Sequence, residues 1–338
     1  MTDTILVTGG AGYIGSHTVR QLAAQGRKIV VLDNLVYGHR DAIIDPGVEL
    51  VVGEVGDRKL LTELFGKHKF AAVIHFAAYA YVGESVTDPL KYYQNNTADP
   101  LVLLSVMQEH GCKVFVFSST CATYGVPESL PITEKTPQAP INPYGCSKLM
   151  MEWILRDCGV AWGLRSACLR YFNASGSSED GLIGEDHNPE THLIPRALMA
   201  VTGEIDHIEV FGEDYPTPDG TCIRDYIHVE DLADAHGKAL DHLAAGGESL
   251  RCNLGTGVGI SVREIIAAAE EVTGKKVPVK FGPRRAGDPA ELVADPTLAK
   301  ELLGWTAQRR DIRQMLRPAW AWMSGPGKGR YPKNDTIR

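Results

Sequence analysis

Nowhere in the 338 residues do two cysteines stand as C-x-x-C, and that absence removes the usual sequence sign of a thiolate zinc site or a redox pair. The seven cysteines, at 112, 121, 146, 158, 168, 222 and 252, are scattered. They are expected to be reduced, small apolar side chains, and no metal is expected. Missing as well is any apolar run near the roughly 20 residues that would span a bilayer, since the segments around Val73 and Val114 are short. No membrane contact is expected. Positive charge is in deficit: 34 Lys and Arg against 42 Asp and Glu give a formal net charge of -8, which argues against a basic face for nucleic acid. The first eight residues run directly into a strand-like segment, without the basic and apolar stretches of a secretion signal, and a cytoplasmic protein is expected. There is neither an internal repeat nor a low-complexity tract.

What is present is apolar material, 44% of the residues, enough for one large domain or two closely joined ones. Short β-rich runs at 5–8, 28–32, 49–52, 72–75, 114–118 and 167–171 are fully apolar or nearly so. Helix-length segments separate them, which predicts parallel strands covered on both faces. The expected fold is α/β, a Rossmann-type doubly wound parallel sheet with a smaller C-terminal substrate-binding α/β domain. Helices are expected over 13–25, 58–68, 98–109, 263–273 and 296–303, and one begins at Pro143 with Asn142 as its N-cap. Glycine, proline and acidic residues cluster through 175–190 and 212–220, as in loops over a ligand. The expected division is therefore 1–173 and 174–338, with a segment near 221–236 returning to the first domain. The tail from Ser324 has little apolar content and reads as a loosely held end.

After the first strand comes Thr8-Gly9-Gly10-Ala11-Gly12-Tyr13-Ile14-Gly15. It matches G-x-G-x-x-G as Gly10, Gly12 and Gly15, and G-x-x-G-x-x-G as Gly9, Gly12 and Gly15. Between a strand and a helix, such glycines permit a tight turn and let the helix N-terminus approach a pyrophosphate. The second strand ends in Asp33, about 20 residues on, where a carboxylate can accept hydrogen bonds from ribose hydroxyls and repel a 2′-phosphate. NAD is the expected cofactor rather than NADP.

Tyr144 and Lys148 stand four residues apart on the Pro143 helix and share one face with Met151 and Leu155. An adjacent ammonium favours a phenolate, which would let Tyr144 act as a base. Alone, Tyr-x-x-x-Lys would more simply be a half-exposed tyrosine beside a solvated lysine. Here it follows a dinucleotide loop and a strand ending Ser118-Ser119-Thr120, at the edge where open α/β sheets bind ligands. Thr120 can hydrogen-bond a substrate hydroxyl there; the plain alternative is a hydroxyl cluster capping a strand.

The loop from Gly9 to Gly15, with Thr120, Tyr144 and Lys148, resembles the cofactor loop and catalytic triad of the extended short-chain dehydrogenases. Similarity to the UDP-glucose 4-epimerase family within that group is closer still. It is carried by TGGAGYIGSH near the start, VGESV at 82–86, NPYGCSK at 142–148, LRYFNASG at 169–176, FGEDYPTPDGTCIRDYIHVEDLA at 211–233, NLGTGVG at 253–259 and PRRAGDP at 283–289. These long motifs extend to about Trp322. The resemblance implies reversible inversion at C4 of a UDP-linked hexose through a 4-ketose, with Tyr144 as base and then acid and NAD supplying the redox chemistry. It implies an NAD site of Gly9, Gly12, Tyr13, Ile14, Gly15, Asp33, Asn34, Glu54, Val55, Phe76, Ala77, Ala78, Asn95, Ser118, Tyr144, Lys148 and Tyr171. For the UDP-sugar it implies Thr120, Tyr144, Phe172, Asn173, His192, Leu193, Phe211, Arg224, Arg285, Asp288 and Leu292. The arginine fork suits diphosphate. A homodimer through helices resembling 98–109 and the Pro143 helix is likewise implied.

Some positions depart from the family pattern. Ala80 replaces a frequent lysine near the cofactor, Glu54 stands where aspartate is usual, and Leu292 occupies a position that gates room for a 2-N-acetyl group. Tyr79-Ala80-Tyr81 and Glu190-Thr191-His192-Leu193 look like the variant found in exopolysaccharide pathways. A 4,6-dehydratase would need an Asp-Glu pair after Thr120, where Cys121 and Ala122 stand. UDP-pentose, UDP-uronate or UDP-GlcNAc 4-epimerisation and a catalytically silent NAD sensor are the other readings.

Overall fold

A computed structural model describes residues 4–285 and 287–332. In chain order the elements are β1 (Thr4–Thr8), α1 (Tyr13–Ala24), β2 (Lys28–Asp33), β3 (Glu49–Val52), α2 (Arg58–Lys67), β4 (Phe70–His75), α3 (Val82–Thr87), α4 (Pro89–Tyr93), α5 (Asp99–Glu109), β5 (Val114–Thr120), α6 (Pro143–Trp162) and β6 (Arg165–Tyr171). Then follow β7 (Asn173–Ser175), α7 (Leu193–Thr202), β8 (Ile208–Phe211), β9 (Ile223–His228), α8 (Val229–Ala244), β10 (Leu250–Leu254), β11 (Gly259–Ser261), α9 (Val262–Thr273), β12 (Val279–Gly282), β13 (Glu291–Leu292), α10 (Thr297–Leu303) and α11 (Ile312–Ser324).

Seven parallel strands form the main sheet in the order β10-β6-β5-β4-β1-β2-β3. All six expected strands are in it, and the expected doubly wound fold is found. Side chains alternate across each strand. Ile5 and Val7 therefore pack with Val19 and Leu22 of α1 and Leu232 and Ala239 of α8, while Leu6 faces Leu61 of α2, Leu103 and Met107 of α5 and Met151 and Leu155 of α6. Each fully buried leucine contributes about 1.5–3 kcal/mol of transfer free energy. The strand order reverses between β1 and β4, so the crevice beyond their C-terminal ends is the expected ligand position.

The expected helix starts and stops hold where capping chemistry is strong. In α6 the Asn142 side chain accepts the Gly145 N–H, Pro143 occupies the first turn, and Gly163 ends the helix at φ 76°. The short α3 and α4, and α7, α8 and α11, were not read from the sequence. Of the two longest of these, α8 is dense in alanine, glycine and histidine, and α11 carries Pro318 in its interior. The chain also returns to the main sheet beyond residue 236: α8 covers one face, β10 forms its edge, and Trp305 is fully buried with it.

A second apolar centre lies among α7, α9 and α11, next to the parallel pair of β8 and β12. Here the expectation of a loose tail from Ser324 fails. Tyr331 is buried, stacks on His39, packs on Trp322, and accepts the Gly184 N–H at its hydroxyl, while its own N–H donates to Asp186. One tyrosine at the right distance anchors a stretch whose composition is otherwise that of a free end. Residues 333–338 of that tail lie outside the described residues.

Four histidines are buried as neutral rings. Burial pushes His75 and His228 down to about 3 and His17 and His236 down to about 4. His17 and His236 each give Nδ1–H to a carbonyl four residues back, and the Nε2 of each has no partner. Below the unfolded value of about 6.5 the unfolded chain binds protons that the folded chain does not, so stability is lost as pH falls from there toward 4. Together these groups make that loss as steep as about 5 kcal/mol per pH unit. The urea midpoint is expected to drop sharply between pH 6.5 and 5; a flat profile there would contradict neutral burial.

Candidate active site

Gly9 follows β1 at φ 70°, and a Cβ there would lie 2.4 Å from the Ala77 nitrogen. A Cβ on Gly15 would lie 2.2 Å from the Gly9 carbonyl oxygen, so the turn and α1 close on each other only without side chains. Gly12, by contrast, has open space above it and meets only the Gly9 oxygen, at 3.4 Å. It is also the N-cap of α1 and offers no side chain, which leaves the first-turn N–H groups of Tyr13, Ile14 and Gly15 without a side-chain acceptor. That cradle fits a pyrophosphate.

Asp33 ends β2 beside it, buried, accepting the Ala11 N–H and the Leu35 N–H at 2.9 Å each. Burial raises its carboxyl, and those two amides oppose the rise. A carboxylate has further lone pairs, so it can still accept from a ribose. Gly38 lets the following loop cross directly over it, since a Cβ there would lie 2.7 Å from Asp33 Oδ1. Asn34 donates to Glu54 at 3.1 Å, and buried Val55 follows. Phe76 and Ala77 donate backbone N–H groups to the Thr8 carbonyl, which seats residues 76–78 against the glycine turn. Tyr13 points elsewhere: its hydroxyl donates to the Gly176 carbonyl at 2.6 Å, so its backbone rather than its ring faces the turn.

Beyond β5 and β6 stands the second group. Lys148 is 3% exposed, which settles the choice against a solvated lysine. Its ammonium donates to the Ser118 carbonyl at 2.8 Å, lies 4.9 Å from the Phe117 ring centroid, and is 6.0 Å from that of Tyr144. Burial lowers it to about 7. The Tyr144 phenol is pushed well up by burial, and the Thr120 hydroxyl opposes that rise. Thr120 Oγ1 accepts the Ala122 N–H at 3.1 Å and caps the turn after β5. Ser118 and Tyr171 share a short hydroxyl hydrogen bond on the same edge. Cys121 is not a ready acid, for burial pushes its thiol up to about 12.

The third group lies on the strands after β6. Arg224 of β9 pairs with Asp288, and its other nitrogen donates to the Ile223 carbonyl at 2.7 Å. Leu292 of β13 lies opposite Arg224 in the register of that pair. Leu292 and Cys121 pack against a small apolar cluster of Phe172, Tyr124, Ile132 and Ala294. Arg285 sets its guanidinium 3.9 Å from the Phe211 ring centroid. Asn173 opens β7 opposite Tyr226 of β9. His192 and Leu193 sit at the start of α7, and the His192 ring turns toward Glu185 and Glu190. Ala286, inside the PRRAGDP motif, lies outside the described residues.

Residues 5–255 match the model of the NAD dependent epimerase/dehydratase family. This chain belongs to that family. It is 51% identical to a UDP-glucose 4-epimerase of Streptococcus mutans over 333 residues, 98% of this chain and 99% of the relative. Among solved structures, a UDP-glucose 4-epimerase from Brucella ovis in complex with NAD is 53% identical, with a TM-score of 0.91, over 94% of this chain and 98% of that one. Another, from Bifidobacterium longum in complex with NAD+ and UDP, is 41% identical, with a TM-score of 0.90, over 96% of this chain and 99% of that one.

In this family member the sequence reading left out several residues that hold the site. Asn96 is buried where the helix from α4 to α5 widens into one π turn over Gln94–Ala98. It grips the Tyr79 backbone at both N–H and carbonyl and donates to Ser147 of α6, while Asn95 donates to it at 2.8 Å. The paired asparagines were the available signal, and π turns mark functional sites often. Arg170 and Glu152, both buried, join β6 to α6 behind Thr120. A charge inside an apolar strand was their signal. Glu185, His187, Glu190 and His192 converge on one point, and only His192 was read as a site residue.

Proposed function

We propose that this chain interconverts UDP-glucose and UDP-galactose by reversible epimerisation at C4, with NAD held by the enzyme. The observation that carries the reading is Tyr144 and Lys148, one helical turn apart on α6, set against the Thr120 end of β5 beside a side-chain-free dinucleotide turn. That arrangement stands in a chain about half identical, along nearly its whole length, to enzymes of that name.

Gly9, Gly12 and Gly15 with the amides of Tyr13 and Ile14 hold the pyrophosphate, and Asp33, Asn34, Glu54 and Val55 hold the adenosine end. Phe76, Ala77, Ala78, Asn95, Ser118, Lys148 and Tyr171 hold the nicotinamide end. Bound there, NAD would supply a reversible hydride acceptor for the C4 carbon. Tyr144 removes the proton of the 4-hydroxyl, Thr120 hydrogen-bonds that same oxygen, and a 4-ketose results. Once the ketose has turned its other face, Tyr144 returns the proton and the configuration is inverted. Lys148 favours the phenolate through its charge. Arg224 and Arg285 take the diphosphate, Asp288 the uridine ribose, and His192, Leu193 and Phe211 the uracil. Phe172, Asn173 and Leu292 line the hexose.

Residues 1–173 serve mainly NAD and residues 174–338 mainly the UDP-sugar. The exposed Leu101 of α5 and Met150 and Trp153 of α6 form the contact of a homodimer. No helix among the described residues is long and apolar enough to cross a membrane, and we place the enzyme in the cytoplasm. The test is to incubate the purified protein with UDP-galactose, without added cofactor, and resolve UDP-glucose by chromatography. Conversion toward an equilibrium mixture is expected; no conversion of any UDP-hexose even with NAD supplied would overturn the reading.

A further inference from the structure

We propose that Glu185, His187, Glu190 and His192 bind one divalent transition-metal ion, zinc by the character of the donors, as a structural clamp at the root of α7. The four side chains come from the eight-residue run Glu-x-His-x-x-Glu-x-His, and their donor atoms all lie within 4.8 Å of one another. His192 Nδ1 is 2.7 Å from Glu185 Oε1 and 3.0 Å from Glu190 Oε1. His187 Nδ1 is 3.2 Å from Glu185 Oε1 and 3.6 Å from Glu190 Oε2. Bonds of about 2.0–2.2 Å to a tetrahedral zinc would put its nitrogen and oxygen ligands roughly 3.3–3.5 Å apart, inside the observed spread.

Ion pairs between protonated rings and the two carboxylates account for part of this convergence and leave buried atoms without an aligned partner. Each Nδ1 carries at most one proton, yet each faces two carboxylates. Glu185 Oε1 and His187 Nδ1 are buried and lack an aligned partner, although they lie within 3.2 Å of each other. The Glu185 side chain is only 8% exposed, so water does not relieve it. Donor atoms gathered this closely with poor hydrogen-bond alignment are a good set of ligands. Two carboxylates and two neutral imidazoles around a divalent cation also leave no net charge. Glu190 Oε1 accepts the His192 N–H at 2.8 Å as well, which fixes its orientation as outer-shell bonds to ligands do. The Tyr13 ring of the glycine turn and the Tyr81 ring lie 6.1 and 6.3 Å from that of His187. An ion there would close the loop before α7 on itself and fix the start of that helix, beneath the Tyr13 and Tyr81 rings.

Metal retention is read without turnover, so its failure leaves the epimerase reading standing, and the reverse. Untagged protein is stripped with a chelator, reloaded with Zn2+ or Co2+, passed through gel filtration and assayed by atomic emission. Retention of one ion per chain is expected, with the intense visible absorption of tetrahedral Co2+. His187→Gln and Glu190→Gln are expected to weaken retention at least about tenfold. Should either fail to fold, His192→Gln carries the comparison, since that side chain is 42% exposed. Wild-type protein that retains neither ion, or variants that retain it equally well, would overturn the proposal.

Discussion

Tyr144→Phe is expected to lower kcat for UDP-galactose by about 10²- to 10⁴-fold, with KM and thermal stability close to wild type. The substitution keeps the ring and its packing on α6 and removes only the hydroxyl to which the proposed cycle assigns the C4 hydroxyl proton. Burial raises this phenol in the chain alone, so its use as a base depends on nearby positive charge, and Lys148 is the cation 6.0 Å from the ring centroid. The NAD content of the variant should match wild type, because the glycine turn and Asp33 are untouched. Chromatography of the UDP-sugars over time decides the matter: a variant within tenfold of wild type in kcat would remove Tyr144 from the proton path.

Arg170→Met should cost about 3–5 kcal/mol of stability, because it takes from a buried carboxylate its close, bidentate cation and leaves Arg251, at 3.9 Å, as the remaining one. Arg170 and Glu152 are 2% and 1% exposed. The guanidinium gives Nε–H to Glu152 Oε1 at 2.9 Å and Nη2–H to Oε2, and its Nη1 donates to the Tyr124 hydroxyl at 2.8 Å. Ser119 donates to the same carboxylate, and the Tyr124 hydroxyl donates to Asn253 Oδ1 of β10. The network thus joins β5, α6, β6 and β10 directly behind Thr120. Replacing both ions by Arg170→Met with Glu152→Leu should restore a good part of the loss, since paired charges give back little beyond their own desolvation. Urea midpoints of the three variants test this; a single variant within about 1 kcal/mol of wild type would mean that the pair is solvated.

Both predictions concern residues that the sequence displayed unequally. The Tyr144 and Lys148 spacing, the glycine turn and Asp33 were legible because each depends on local geometry: a helical turn, a tight bend, a strand end. Every expected strand was found for the same reason. The fully apolar runs of a doubly covered sheet leave few other interpretations. Helices α8 and α11 escaped notice although both are amphipathic: the buried face of α8 mixes valine and leucine with alanine, glycine, histidine and Asp231, and α11 carries Pro318 in its interior, a residue that reads as a helix stop. Tyr331 escaped because a single anchoring contact leaves no trace in composition.

By itself, then, the amino-acid sequence determined the class of fold, the glycine turn between β1 and α1 and the placing of Tyr144 and Lys148 on one helix face, since periodicity and backbone sterics act over a few residues. Only the tertiary structure decided that Lys148 is buried rather than solvated, that Asp33 is clamped by the Ala11 and Leu35 amides, and that Arg170 faces Glu152. Burial and charge pairing depend on what lies across the chain, and residues far apart in sequence meet only once the sheet has closed.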